Sequence, residues 1–414
     1  MSSENPTTSS KIFQIKMMPR SLYIKSLLIC LLATSTLFCS CQQRPKTPGQ
    51  SCQKVICGAE QCELYFPWLK DKKFALVVNQ TSVIEGKSIV DSLCSACLRP
   101  AFIFAPEHGF RGTDDAGAHV ADGKDLATGL DIVSLYGKNK KPSPAQMQAL
   151  DCIVFDIQDV GCRFYTYLST LHYVMEACAE NDVELIVLDR PNPNDYIDGP
   201  TLEADCRSFV GMHPIPILHG CTLGEMAQMI NGEGWINGRC RLRVVKVKNW
   251  QHRQVYSLPV KPSPNLPNDH AIRLYPSLCL FEGTIISVGR GTSTPFEILG
   301  HPDPKFGDFR FTPRSLPGFD KHPMYQDKIC YGEDLRQDTL TKSFSLKYLC
   351  AFFEKSGKDS QFFSRAAFFD LLAGNHLLRQ QIQEGLSEEE IRQSWEKDLA
   401  SYRQIRESYL LYEE

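Results

Sequence analysis

The sequence lacks the short motifs that mark the commonest nucleotide and ester chemistries. No Gly-x-Gly-x-x-Gly follows the first predicted strand, and no Gly-x-x-x-x-Gly-Lys-Ser/Thr occurs, which disfavours dinucleotide and P-loop nucleotide binding. A Gly-x-Ser-x-Gly elbow is absent too, which disfavours an α/β-hydrolase. No cysteine and histidine spacing reads as a zinc site, so the sequence predicts neither a cofactor nor a metal.

The chain also lacks an excess of charge of either sign. Its 414 residues carry 45 Lys and Arg against 48 Asp and Glu, a net charge of −3. Proteins that bind nucleic acid usually carry a strongly basic surface, so we expect no nucleic-acid partner. Hydrophobic residues at 43% and charged residues at 22% are typical of a folded globular chain.

No apolar run approaches the roughly 20 residues of a membrane helix outside the N-terminus. Residues 1–41 instead predict a lipoprotein signal peptide, in which the apolar run 26–38 follows several lysines and arginines. A small residue followed by Cys41 resembles a bacterial lipobox, whereas Cys39 fits less well because bulky Phe38 precedes it. A plain secretory signal and an N-terminal anchor are the alternatives. We expect a lipid-anchored protein of the bacterial cell envelope that faces the periplasm.

Composition then divides the rest of the chain. Residues 42–58 are polar and predict a tether, and 59–255 alternate apolar runs with helical patterns. The proline-rich stretch 258–267 marks a domain boundary near residue 255. Residues 256–414 then predict a smaller mixed α+β domain that starts with a strand at 284–288 and ends in helices.

Short apolar runs predict the strands of an open parallel sheet in the first domain. Several are apolar at every position, which is typical of strands buried on both faces. Apolar residues at helical spacing over 168–178 predict a crossover helix between two of them. The fold class is therefore α/β, with predicted strands at 74–78, 101–104, 152–155, 184–188 and 215–218.

Polar side chains follow each predicted strand. Because ligands bind outside the carboxyl ends of parallel strands, we expect these side chains to line one site. Amides, carboxylates and arginines hydrogen-bond to sugar hydroxyls, and aromatic rings stack on sugar faces. The candidates are Asn79, Glu107, His108, Arg111, Asp156, Gln158, Asp159, Arg163, Tyr165, Tyr167, Asp189, Arg190 and Asn192.

This set suits glycoside cleavage, which needs an acid to protonate the leaving oxygen and a second group that acts as nucleophile or activates water. Glu107, in a turn after an apolar strand, is the candidate acid. Asp156 and Asp159 are candidates for the second role, as is Asp189, and Tyr165 is a candidate nucleophile. Each carboxylate has an alternative role: the three aspartates could instead orient Arg163 or Arg190, and Glu107 could instead cap the following turn.

The second domain presents an arginine between glycines. Arg290 is flanked by Gly289 and Gly291, which permit a close backbone approach, and Thr292 follows. An arginine so placed suits a bidentate grip on a substrate carboxylate; the alternative is a salt bridge that closes the domain interface. Asn265, in the proline-rich stretch, could reach the same cleft.

Taken in order, these motifs resemble the NamZ-type exo-β-N-acetylmuramidases, a family long catalogued as a domain of unknown function. The resemblance runs from about residue 60 to 414. The motifs that carry it are Asn79-Gln80-Thr81, Pro106-Glu107-His108-Gly109-Phe110-Arg111, Phe155-Asp156-Ile157-Gln158-Asp159-Val160-Gly161, Arg163-Phe164-Tyr165-Thr166-Tyr167, Asp189-Arg190-Pro191-Asn192-Pro193, Pro262-Ser263-Pro264-Asn265, Glu282-Gly283-Thr284, Gly289-Arg290-Gly291-Thr292 and the helix 387–395.

The resemblance implies a Rossmann-like domain, a smaller C-terminal domain and an active site in the cleft between them. It implies release of terminal N-acetylmuramic acid from the non-reducing ends of peptidoglycan fragments, without a cofactor. Glu107 matches the family's proposed catalytic Glu, and Arg290 or Arg163 is expected to face the lactyl carboxylate. One departure is Val288, where many relatives carry Glu.

Two other functions stay open at this point. A non-catalytic sugar- or peptidoglycan-binding lipoprotein would use the same polar side chains. A metal-dependent esterase or phosphohydrolase would use Glu107, His108, Asp156 and Asp159 as ligands, although their spacing matches no standard metal-binding loop.

Overall fold

The computed structural model describes residues 53–111, 122–339 and 344–414. The predicted signal peptide, Cys41 and most of the predicted tether lie outside these ranges. Residues 54–414 form one compact unit, and the domain boundary near residue 255 stays a prediction. Within the described ranges, no helix is both long enough and apolar enough to cross a membrane.

The strands and helices are numbered along the chain. The strands are β1 (Phe74–Val78), β2 (Val83–Ile84), β3 (Lys87–Ser88), β4 (Ile103–Ala105), β5 (Gly123–Lys124), β6 (Asp131–Ser134), β7 (Cys152–Asp156), β8 (Glu184–Leu188), β9 (Ile197–Thr201), β10 (Pro216–His219), β11 (Arg241–Val245), β12 (Ile298–His301), β13 (Phe309–Phe311) and β14 (Cys330–Asp334). The helices are α1 (Cys62–Leu69), α2 (Ile89–Ser95), α3 (Pro144–Met147), α4 (Tyr167–Asn181), α5 (Leu223–Gly232), α6 (Asp269–Leu278), α7 (Lys347–Lys355), α8 (Ala366–Ala373), α9 (Leu377–Glu384), α10 (Glu388–Gln393) and α11 (Glu396–Glu407).

A seven-stranded sheet organises the N-terminal region, in the order β11-β8-β7-β1-β4-β6-β5. Every pairing in it is parallel except that of the edge strand β5 with β6. β1 and β7 are buried at every position, as expected for apolar strands covered on both faces. The predicted crossover helix is present as α4, so the predicted α/β class is confirmed.

The order of strands reverses beside β1. From β1 the chain proceeds outward to β4 and β6, then returns to the other side of β1 as β7 and continues to β8 and β11. The loops after β1 and β7 therefore leave in opposite directions and open a crevice at the carboxyl ends of the strands. This crevice is where the fold favours a ligand.

One of the five predicted sheet strands is wrong. The run 215–218 does not join the central sheet: β10 pairs antiparallel with β9 in a separate two-stranded sheet. β10 is buried at each residue, so its apolar pattern could not be told from that of a central strand. The outer parallel strand is β11, where exposed arginines interrupt the apolar pattern.

The strand predicted at 284–288 is also wrong. A 3₁₀-helix covers Cys279–Gly283, and after it Ser287 makes only an isolated bridge to Gly300. The Thr284 hydroxyl donates to the carbonyl of Phe281 at 2.8 Å and accepts from the amide of Ile286 at 3.1 Å. These local hydrogen bonds replace the backbone pairing that a strand would need. Threonine side chains often compete with strand pairing in this way.

The C-terminal region contains both helices and strands, as predicted. It contains a three-stranded antiparallel sheet in the order β12-β14-β13 and the helices α6 to α11. Ser387 caps α10 in a box with Glu390. The apolar residues of α10 and the segment after it are buried, since Ile391, Trp395 and Leu399 belong to the main core.

A buried histidine ties the C-terminal tail to the N-terminal region. His252 Nδ1 lies 3.0 Å from Asp195 Oδ1, and Nε2 lies 2.9 Å from Glu225 Oε1. Arg406 Nη2 approaches the same imidazole at 3.2 Å, and the amide of Leu411 donates to Glu225 Oε1 at 2.9 Å. Burial alone would lower the pKa of His252, but the hydrogen bonds to the two carboxylates outweigh it and raise the pKa to about 9.

This raised pKa predicts a loss of stability in alkaline solution. The stabilisation by charged His252 is fully present below its unfolded pKa of about 6.5 and is lost as pH rises through about 9. Urea unfolding of the wild type and of His252→Gln should therefore show a stability difference that shrinks with pH over that window, by on the order of 3 kcal/mol. His322→Gln, at an exposed site, is the control; a pH-independent difference for His252→Gln would contradict the prediction.

Candidate active site

A cavity of about 530 Å³ opens between the sheet and the C-terminal region. One wall consists of Glu107 and His108, after β4, together with residues 164–167, after β7. The opposite wall comes from the C-terminal region, where Glu282 and Arg290 belong to the lining. The cavity thus lies at the carboxyl ends of the strands, beside the crevice that the strand order creates.

Glu107 is half-buried in this wall and is held by hydroxyl groups. Thr166 Oγ1 donates to Glu107 Oε2 at 2.6 Å. Tyr136, which also lines the cavity, is hydrogen-bonded to the same carboxylate. Burial, and then the neighbouring Glu107, raise the pKa of Tyr136, so its hydroxyl stays protonated and donates. The carboxylate is therefore oriented toward the cavity.

The turn after Glu107 is conformationally unusual. His108 has φ 69° and Gly109 φ 74°, a left-handed backbone that non-glycine residues rarely adopt. His108 is buried, and its Nε2 lies 3.3 Å from Ser263 Oγ. This contact joins the turn that carries Glu107 to the proline-rich stretch of the facing wall.

Tyr165 and Tyr167 support that same stretch. Their hydroxyls donate to the carbonyl of Pro262 at 2.9 Å and 3.3 Å, and their rings meet edge to face at 4.9 Å. Burial raises the pKa of both phenols, so neither is ionised at neutral pH. Both line the cavity, with hydroxyls engaged in structural bonds, which does not favour Tyr165 as a nucleophile.

Arg290 enters the cavity from the opposite wall. Glu282 Oε1 accepts from Arg290 Nε at 2.7 Å and from Nη2 at 2.6 Å, and the guanidinium lies 5.1 Å from the centre of the Phe296 ring. Nη1 is buried and has no hydrogen-bond partner among the described residues. One edge of the guanidinium is thus neutralised, and the other is available to an acceptor in the cavity.

The neighbouring candidates have different positions. Asn265 lines the cavity, where its Nδ2 donates to the carbonyl of Phe319 at 3.0 Å and its buried Oδ1 has no partner among the described residues. Thr292 is not part of the lining; its hydroxyl closes the turn by donating to the carbonyl of Gly289 at 2.6 Å.

Asp156 and Arg190 form a buried pair outside the cavity lining. Arg190 Nε and Nη2 donate to the two oxygens of Asp156 at 2.6 Å and 2.9 Å. Both side chains are almost inaccessible, at 0% and 4% exposure. Both carboxylate oxygens are occupied, so this arrangement favours the alternative that Asp156 orients an arginine.

Asp159 lies in the loop after β7 and does not belong to the cavity lining. Its Oδ1 accepts the amide of Gly161 at 2.7 Å, and its buried Oδ2 has no partner among the described residues. Burial raises the pKa of Asp159 to about 7, against the opposing effect of backbone hydrogen bonds. Gln158 Nε2 beside it donates to the carbonyls of Asp159 and Pro191 at 2.9 Å and 2.8 Å.

Asp189 anchors two distant segments. It accepts from Thr222 Oγ1 at 2.6 Å and from the amide of Gly224 at 2.8 Å, at the start of α5. Tyr412, near the C-terminus, donates to it at 2.5 Å. Burial raises the pKa of Asp189 to about 6 even though these hydroxyls favour its charged form. These contacts favour a structural role, which differs from the predicted alternative of orienting an arginine side chain.

Asn79 and Asn192, the two asparagine candidates that follow β1 and β8, also stabilise turns. Asn79 Oδ1 accepts from the amide and the hydroxyl of Thr81 at 2.9 Å and 2.6 Å. Asn192 Oδ1 accepts from the amide of Asn194 at 2.8 Å, and its Nδ2 donates to the carbonyl of Cys221 at 3.0 Å. Neither belongs to the cavity lining.

The remaining arginines do not line the cavity either. Arg163 is fully buried, and its Nη1 donates to the carbonyls of Pro200 and Ile215 at 2.8 Å each. Its Nη2 donates to the carbonyls of Leu372 and Ala373 at 3.0 Å and 2.7 Å. Arg111 is half-exposed, with Nη2 2.7 Å from Asp125 Oδ1.

Many of the cavity residues were not among the sequence candidates for the site, and four of these bear on its chemistry. Tyr136 and Thr166 contact Glu107, while Glu282 and Asp320 are the lining carboxylates of the C-terminal region. Glu282 belongs to one of the resemblance motifs, which was the available signal. Tyr136 lies in an unremarkable loop, and nothing in the sequence pattern marks it.

An α/β sheet whose strand ends face a cavity lined by carboxylates, an arginine and aromatic rings has the features of a glycoside hydrolase. Two family models match nearly all of the described chain. Residues 74–270 match the N-terminal model, and 273–412 the C-terminal model, of the exo-beta-N-acetylmuramidase NamZ. The chain belongs to this family, which confirms the resemblance.

Individual relatives support the same family assignment. The chain is 40% identical over 373 residues to "Peptidoglycan beta-N-acetylmuramidase NamZ" of Bacillus subtilis, a match that covers 84% of this chain and 89% of that one. Two crystal structures of DUF1343 family proteins from Bacteroides fragilis also match. One has 44% identity and a TM-score of 0.81, the other 30% and 0.75, and each match covers 87% of this chain and 99% of the solved chain.

The buried pair Asp156–Arg190 predicts a large effect on stability. Asp156→Asn leaves the Arg190 charge without its counter-ion, which should lower the free energy of unfolding by about 3–5 kcal/mol. Urea denaturation followed by circular dichroism measures this. Asp327→Asn is the matched control because its partner Arg314 and Asp327 itself are exposed, and we expect little change. Equal effects of the two substitutions would contradict the structural role of the pair.

Proposed function

We propose that this chain is an exo-acting β-N-acetylmuramidase that releases terminal N-acetylmuramic acid from the non-reducing ends of peptidoglycan fragments, and that Glu107 is its general acid. The observation that carries the proposal is the shared cavity: Glu107 lies in one wall and Arg290 in the other, with an Nη1 that no described residue hydrogen-bonds. The family membership and the curated relative support it; neither a purely binding protein nor a metal hydrolase is favoured.

The cavity suits a single terminal sugar. Its volume of about 530 Å³ is within the range of ligand pockets, about 300–1,000 Å³. A cavity with walls from two regions accommodates a chain end, whereas an endo-acting enzyme needs a groove that is open at both ends. The half-buried rings of Tyr136 and Phe209, with centres 6.0 Å apart, offer apolar faces to a sugar.

The chemistry begins with proton transfer. Glu107 donates its proton to the glycosidic oxygen as the bond from that oxygen to the anomeric carbon breaks. Thr166 and Tyr136 hold the carboxyl group in the orientation that this transfer requires. Water then adds to the anomeric carbon and loses one proton to a carboxylate of the site, so that the hemiacetal product is neutral. Glu282 and Asp320 are the other carboxylates of the described lining, and the substrate's acetamido group is an alternative nucleophile.

Of the two arginines that the family resemblance left open, Arg290 is the better candidate for the lactyl carboxylate. Arg163 does not line the cavity and donates to four backbone carbonyls, whereas Arg290 lines the cavity and its Nη1 has no hydrogen-bond partner among the described residues. A charge-assisted hydrogen bond from that edge would distinguish a muramic acid from a glucosamine residue.

Glu107→Gln tests the general acid. The amide cannot donate a carboxyl proton, so kcat on a chromogenic β-N-acetylmuraminide should fall by about 100- to 10,000-fold. KM should change little, since the side chain keeps its shape. Glu63→Gln, at an exposed site, controls for the loss of one charge. Full activity of folded Glu107→Gln would refute the role.

Arg290→Gln tests the lactyl contact. Loss of a charge-assisted hydrogen bond should lower kcat/KM on the muraminide by about 10- to 100-fold. On an analogue whose lactyl group carries an amide in place of the carboxylate, the wild type and the variant should differ far less. Arg310→Gln, an exposed arginine, should behave as the wild type on both substrates. An equal loss on the two substrates would argue against recognition of the carboxylate.

We further propose that the mature protein is lipid-anchored at Cys41 in the cell envelope, facing the periplasm. The apolar run 26–38 and the small residue before Cys41 support this. In cells that process lipoproteins, the full chain should incorporate an alkyne fatty acid, and Cys41→Ser should abolish the label. Cys39→Ser is the matched control and should remain labelled; the reverse pattern would move the lipidation site to Cys39.

A further inference from the structure

Three potential metal ligands meet away from the cavity. Cys206 ends a 3₁₀-helix, Ala204–Cys206, and its Sγ lies 3.9 Å from Nε2 of His376. Asp205 Oδ2 lies 3.4 Å from the same nitrogen, and the three ligand atoms all lie within 4.8 Å of one another. The ligand atoms of tetrahedral zinc, with bonds of about 2.0–2.3 Å, lie about 3.4–3.6 Å apart. The two distances from His376 Nε2, 3.9 Å to Cys206 Sγ and 3.4 Å to Asp205 Oδ2, are close to that.

The histidine is held with one nitrogen toward the cluster. His376 Nδ1 lies 2.8 Å from Asp370 Oδ2, on the side away from Cys206. Asp370 is buried, and Arg379 binds both of its oxygens at 2.8 Å each. A carboxylate that accepts from Nδ1 leaves the Nε2 lone pair for a metal, which is the usual support of a metal-binding histidine.

The charge around the sulfur favours a cation. The carboxylates of Asp205, Asp370 and Glu203 all lie near the Cys206 sulfur. Asp205 and His376 have half or more of their side-chain surface exposed. An ion could therefore enter from solvent, and a water could complete its coordination.

We propose that Cys206 Sγ, His376 Nε2 and a carboxylate oxygen of Asp205 bind a zinc ion, with water as the fourth ligand. Thiolate with imidazole is a donor set that suits zinc and not magnesium or calcium. The sulfur–zinc bond forms as the thiol proton leaves to solvent; a protonated His376 releases its Nε2 proton in the same way. No oxidation or reduction is involved.

The ion would join the two regions of the chain behind the cavity. The amide of Glu203 donates to the carbonyl of Gly374 at 2.7 Å, so the two ligand-bearing segments already touch. Leu372, two residues before Gly374, lines the cavity, but none of the three ligands does. The site is therefore structural: it stabilises one wall, does not take part in glycoside cleavage and is independent of the proposed function.

Cobalt and zinc titrations of the purified, tag-free protein test the site. Cobalt should produce thiolate-to-metal charge-transfer absorption with the visible bands of tetrahedral coordination, and zinc should abolish them. Zinc at about 100 times its Kd should raise Tm by about 3 °C. Cys206→Ser and His376→Gln should lose both effects and keep their turnover of the muraminide at 25 °C.

Matched variants separate this site from the other thiols. Cys97→Ser and His322→Gln, both at exposed positions, should keep the cobalt spectrum and the Tm shift. Asp205→Asn changes an exposed side chain, so it should leave the Tm of the metal-free protein unchanged. It should weaken zinc binding at least about 10-fold. A wild type without the charge-transfer band, or Cys206→Ser with an unchanged spectrum, would overturn the proposal.

Discussion

A buried guanidinium determines where the two regions of this protein meet. Among the described residues Arg163 has no carboxylate partner; it donates to the carbonyls of Pro200 in β9 and Ile215 before β10 on one side, and to two carbonyls at the end of α8 on the other. Burial lowers its pKa to about 9, so it stays charged at neutral pH and must keep its acceptors. Because Leu372 supplies one of those carbonyls and also lines the cavity, the cavity depends on this contact.

The polar residues at the strand ends divide into two groups with different tasks. The first group is buried: Arg190 neutralises Asp156, and Asp189 accepts hydrogen bonds at the start of α5. These contacts hold the loops after β7 and β8. Glu107 differs because it lies in the cavity wall, where the hydroxyls of Thr166 and Tyr136 donate to its carboxylate. The loops need the first group for rigidity, and the chemistry needs a carboxyl group that faces the cavity.

The sequence predicted the parallel sheet well because strands such as β1 and β7 are apolar throughout, a pattern that few other structures produce. It failed for 215–218 because β10 is just as buried in its small antiparallel sheet, and pairing partners leave no local pattern. Among the candidate residues, Glu107, His108, Tyr165, Tyr167, Asn265 and Arg290 do line one cavity. Tyr136 could not be found, since only the folded chain brings it to Glu107.

What the sequence determined by itself is the α/β class, the family and the residue types available at each strand end, because these depend on local periodicity and short ordered motifs. Only the tertiary structure decided which carboxylates are neutralised and which arginine faces the cavity. Asp156 and Glu107 are both acids after an apolar strand, yet Arg190 reaches only one of them. That difference depends on contacts between residues far apart in the chain, and local patterns do not encode those distances.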